Sequence, residues 1–98
     1  MTEQQILAIV RQAVASHVTA TNANPQADRR FLLRDVVPQW RDLCPVALPS
    51  AQGVLRPNIM AARVSKAFRE EVVAGRVPNV IRSIGEYGEY ETMIFRVT

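Results

Sequence analysis

A chain of 98 residues has room for one domain, and a hydrophobic fraction of 48% excludes global disorder. A net charge of +3 and a single cysteine, Cys44, exclude a histone-like cation density and an intramolecular disulfide. The apolar run from Ile6 to Val10 is too short to span a membrane and lacks the basic start of a signal peptide, which predicts a cytoplasmic protein with no membrane partner.

Residues 3–20 read as a first helix. Ile6, Val10, Ala13, Val14, His17 and Val18 recur at helical spacing and form one apolar stripe. Thr2 and Gln5 match a capping box, in which each side chain satisfies the other's backbone donor. Thr, Asn and Pro in Thr19 to Pro25 favour turns and predict the helix end there. Phe31-Leu32-Leu33 is short and apolar enough for a brief strand. Asp35 is then expected as N-cap of a short second helix, Val36 to Leu43, with Pro38 tolerated in its first turn and Trp40 and Leu43 facing the core. Pro45, Pro49, Gly53 and Pro57 make residues 44–57 a loop.

Asn58 to Ala74 reads as the third helix, opened by Pro57 or Asn58 and closed by Gly75 as a left-handed cap. Val77 to Ile84 reads as a strand, Gly85 to Glu89 as a turn, and Tyr90 to Val97 as a second strand. In that second strand Met93, Phe95 and Val97 alternate with Thr92, Ile94 and Arg96.

Charge is unevenly spread along these elements. Residues 56–82 hold Arg56, Arg63, Lys66, Arg69, Arg76 and Arg82 against Glu70 and Glu71, whereas Glu86, Glu89 and Glu91 make the last stretch acidic. On the third helix, Met60, Ala61, Val64, Phe68 and Val72 share the side expected to pack inward. Ile59, Ala62, Arg63, Lys66, Arg69 and Glu70 share the other. Arginine and lysine on such a face can donate to guanine edges or phosphates, and Ala and Ile can touch a thymine methyl. Free amides at the helix start, beside Arg56 and Asn58, suit a phosphate.

The stretch from Asn58 to Val77, followed by the Val80–Val97 hairpin with its Gly85-Glu86-Tyr87-Gly88 turn, resembles the recognition helix and wing of winged helix-turn-helix proteins. The strong part of the resemblance covers about residues 56–97. It implies an α+β fold over 1–98: a small winged helix, three helices followed by a two-stranded antiparallel hairpin. It implies sequence-specific binding of double-stranded DNA, as in a small transcriptional regulator or a phage- or plasmid-type control protein. Asn58, Ile59, Ala62, Arg63, Lys66 and Arg69 fall on groove-facing positions and Arg82 on the wing, with Arg56 beside the helix start. Two features depart from the family pattern: the long 44–57 link, and the acidic wing tip at Glu86 and Glu89, which phosphate would repel. Both favour the alternative, a winged-helix module for protein partners such as an adaptor, assembly factor or inhibitor of a larger machine.

No catalytic constellation is legible, so the protein is expected not to be an enzyme. His17 is expected to be structural, and Cys44 with His17 are too few ligands for a metal. No cofactor is implied. A homodimer is expected, because a lone domain of this size reads a short site weakly. Leu7 and Ile9, taken to lie off the main stripe, put its interface on the first helix.

Overall fold

Helix α1 (Glu3–Ala23) starts where the capping box requires. The Gln5 amide donates to Thr2 Oγ1 at 3.2 Å, and the Thr2 amide donates to Gln5 Oε1 at 2.8 Å. The computed structural model describes residues 2–44, 59–83 and 94–98, and of Ile59 the backbone alone. The helix runs three residues past 20 and ends inside the Thr19–Pro25 stretch expected to close it; Thr21 extends the buried stripe and its hydroxyl pairs with His17 Nε2 at 3.3 Å. Tertiary burial here overrides the weak helix preference of Thr and Asn.

Strand β1 (Arg30–Phe31) follows, with Phe31 buried. The second helix expected over 36–43 is instead two single turns, α2 (Leu33–Val36) and α3 (Trp40–Leu43). Pro38 is the reason. A residue before proline is driven out of the helical region, and Val37 is extended (φ −84°, ψ 114°). Gln39 then turns the chain in the left-handed region at φ 58°. Asp35 consequently sits inside α2 and does not cap it; the N-cap position is Leu32.

Helix α4 (Ile59–Val73) ends at Gly75, whose φ of 75° is the left-handed conformation that glycine adopts without strain. Gly75 N donates to Val72 O at 3.0 Å and Arg76 N to Glu71 O at 2.9 Å. These two bonds are the Schellman pattern. Strands β2 (Val80–Arg82) and β3 (Phe95–Val97) pair antiparallel. The expected hairpin is only part of the sheet, because β1 joins the other edge of β3 and gives the order β1-β3-β2. The fold is thus a small α+β domain of helices and a three-stranded antiparallel sheet. The link at 45–58 and the hairpin turn, with Glu86, Tyr87, Glu89 and Tyr90, lie outside the described residues.

One core holds the elements together. Ile6, Val10, Val14, Trp40, Val64 and Phe68, the residues expected at its centre, are all buried, and Phe95 and Val97 close it from the sheet. Phe68 meets Phe95 edge-on at 5.1 Å between centroids, a favoured arrangement for two ring quadrupoles. Leu7 corrects an expectation. Its position around α1 falls between those of Val14 and Val18, so it lies on the stripe and is 3% exposed. Ile9 packs against the same core. Of the two residues assigned to a dimer interface on α1, Leu7 is therefore committed inside the domain and Ile9 is half-buried.

Ser65 is the one misfit on the buried side of α4. It is fully buried, and its hydroxyl has no hydrogen-bond partner among the described residues. An unsatisfied buried polar group costs about 1–3 kcal/mol, and alanine is the better helix former. Ser65→Ala is expected to raise stability by about 1 kcal/mol. For a domain of this length that is a rise of roughly 4–8 °C in melting temperature. A thermal melt that falls or stays put would show that the hydroxyl is satisfied in solution.

Candidate nucleic-acid interface

Helix α4 is sided by its sequence. Ala61, Val64, Phe68 and Val72 are buried against α1 and the sheet, and Met60 packs partly against the same core. That packing fixes what the opposite side presents. Arg63, Lys66 and Glu70 are exposed there, while Ala62 and Arg69 are half-buried at its flank. Val73, at 67% exposure, extends this side toward the C-terminal end. It is an exposed apolar residue whose place on this side follows from the helical period.

The electrostatics of this face follow from where the acids go. Arg11 Nε of α1 donates to both carboxylate oxygens of Glu71, at 2.6 and 3.0 Å. Glu71 is thereby turned toward α1, with its side chain 15% exposed. Arg63, Lys66 and Arg69 form no ion pair among the described residues. Glu70 is the single carboxylate on their face of α4, and it is not in salt-bridge contact with them. A row of cations so placed carries a positive field into solvent and suits an anionic, extended partner.

Of the residues expected to touch DNA, the structure brings Ala62, Arg63, Lys66 and Arg69 together on α4. Arg82 lies on β2, in register with Phe95 and two residues beyond buried Val80. Alternation along the strand therefore directs it to the side of the sheet that packs on α4. It is exposed, at the C-terminal end of β2. Arg56 and Asn58 lie outside the described residues, as does the side chain of Ile59.

His17 is half-buried, tilted against Phe31 at 5.0 Å, and held by Thr21. Cys44 is fully buried. Among the described residues no group of three potential ligands could hold a metal, and no helix is long and apolar enough to cross a membrane. No protein-family model, curated protein or solved structure matches the chain.

Proposed function

We propose that this chain is a winged helix-turn-helix domain that binds double-stranded DNA, with α4 as the recognition helix and the β2–β3 hairpin as the wing. In this proposal it acts by binding and not by catalysis, in the cytoplasm, as a small transcriptional regulator. The observation that carries the reading is the sidedness of α4: one face is locked into the core, and the other projects Arg63 and Lys66, unpaired among the described residues. The order helix, strand, short helices, long helix, strand, strand supports it, as does the sheet order β1-β3-β2. In such a domain the first strand closes the sheet beside the wing and leaves the long helix free on its outer side.

The assigned roles are specific. Arg63 is exposed near the N-terminal end of this face and is the candidate for base-edge recognition. Lys66 and Arg69 follow it along the helix and are candidates for phosphates, with Arg82 reaching the backbone from the wing. The test is titration of the full chain with a random-sequence duplex at several salt concentrations. Each phosphate contact contributes about −0.9 to the slope of log K against log salt. Lys66→Ala and Arg69→Ala are each expected to flatten that slope by about one unit. Thermal melts serve as the folding control. A parent protein that binds no duplex at low salt, or variants with unchanged slopes, would remove the assignment.

A further inference from the structure

The outer face of the sheet carries a charge arrangement that the fold does not need. The β1–β3 register sets Arg30 directly opposite Arg96. The amide of Val97 donates to Arg29 O at 2.8 Å, one step along the ladder. Hydrogen-bonded and non-hydrogen-bonded pairs alternate, so Arg30 and Arg96 form a non-hydrogen-bonded pair, the kind in which side chains approach most closely. Ile81 of β2, also exposed, flanks Arg96 on its other side. The row Arg30–Arg96–Ile81 faces away from α4, because Phe31, Val80, Phe95 and Val97 fill the inner face.

Like charges directly opposite each other destabilise a sheet. Little here offsets the repulsion. Asp28 reaches Arg30 at only 3.8 Å, with both side chains more than 60% exposed, and ion pairs that open contribute next to nothing. Arg96 makes no ion pair among the described residues. A cation on an edge strand can serve to discourage stray pairing. That accounts for Arg30 on β1. It does not account for Arg96 on the central strand, facing it. Two arginines set directly opposite each other on an open face are instead suited to one phosphodiester, since each guanidinium offers a planar fork of donors to its oxygens.

We propose that Arg30 and Arg96 form a second binding surface for a nucleic-acid backbone, on the side of the sheet facing away from α4. It rests on the DNA-binding reading for the choice of polyanion and for the first duplex, which α4 holds. With α4 on one duplex, the pair contacts a second, so that the protein draws two duplexes together. A single such contact is weak, but many copies coating one duplex present many sheet faces, and their contacts add.

The experiment uses the full chain, a long random-sequence duplex tethered to beads, and a labelled duplex in solution at low salt. Parent protein is expected to coat the tethered duplex and capture the labelled one. Arg30→Ser/Arg96→Thr is expected to coat equally well, melt at or above the parent temperature, and reduce capture to the level of protein-free beads. If the double variant melts early, Arg30→Ser alone, at the sheet edge, repeats the measurement. Arg63→Ala/Lys66→Ala separates the two readings. If that variant coats as the parent does while the sheet variant fails to coat, the α4 assignment falls and the sheet site stands. Unchanged capture by the sheet variant overturns the sheet site, because bridging then runs through some other surface or a dimer. A parent that coats without capturing also overturns it, and a parent that binds no duplex overturns both.

Discussion

Replacing Phe68 by alanine is expected to cost the folded state about 3–5 kcal/mol. Phe68 is fully buried at the meeting point of α4 and the sheet. Its ring packs edge-on against Phe95, which in turn meets Phe31 at 5.8 Å. Truncation removes the apolar transfer term, the ring pair and the contacts lining the resulting void. Neighbouring walls come from the long helix α1 and from short strands tied by ladder bonds, so the site has little scope to collapse. Small domains are stable by only about 5–15 kcal/mol in total. Urea denaturation should therefore show a midpoint well below the parent's, and a melt should fall by about 15 °C or more. A loss of only a few degrees would mean that Phe68 is not at the centre of the core.

Arg63→Ala is the second large effect expected, and it falls on binding and not on folding. Arg63 is exposed and unpaired among the described residues, so its removal should change stability by under about 0.5 kcal/mol. If its guanidinium is bidentate to guanine O6 and N7, the preferred duplex loses about 1–3 kcal/mol of binding, roughly 5- to 150-fold in affinity. Duplexes with another base at that position should lose much less, so preference relaxes there. Lys66 and Arg69, if on phosphates, should weaken all duplexes alike. The measurement is selection of bound duplexes from a random library by the parent, then titration of the winner and its single-base variants with each mutant. Equal losses across all duplexes for Arg63→Ala would move Arg63 from base recognition to backbone contact.

Much of the fold was legible because it rests on local rules. The Thr2–Gln5 box, the stripe from Ile6 to Val18, the inward side of α4 and the cap at Gly75 depend on residues within a turn or two of each other. So does the alternation of Phe95, Arg96 and Val97. What escaped depended on context. The break at Val37–Pro38–Gln39 needed the proline's effect on its predecessor to outweigh the gain of continuing a helix. Leu7 was misplaced because the stripe was drawn from fewer residues than the core covers, and it cannot serve the dimer interface expected on α1. In the candidate site, the face of α4 followed from helical period alone. The facing of Arg30 and Arg96 did not, since they lie in segments whose pairing no local pattern specifies. Arg11–Glu71 was hidden for the same reason.

The position of β3 in the middle of its sheet has a consequence for how the chain acquires its structure. Its neighbour β1 lies far away in sequence, with Arg30 joined to Arg96 and Phe31 to Phe95. Closing so long a loop is entropically unfavourable before any contact rewards it, and such non-local pairing slows folding. On the ribosome, the sheet cannot close until residue 97 has left the exit tunnel. Until then α1 and α4 can come together, but Phe31 and Phe68 lack the aromatic ring that covers them both. A nascent chain halted before Phe95 would show an open apolar surface, whereas one extended past Val97 would bury it in a single late step.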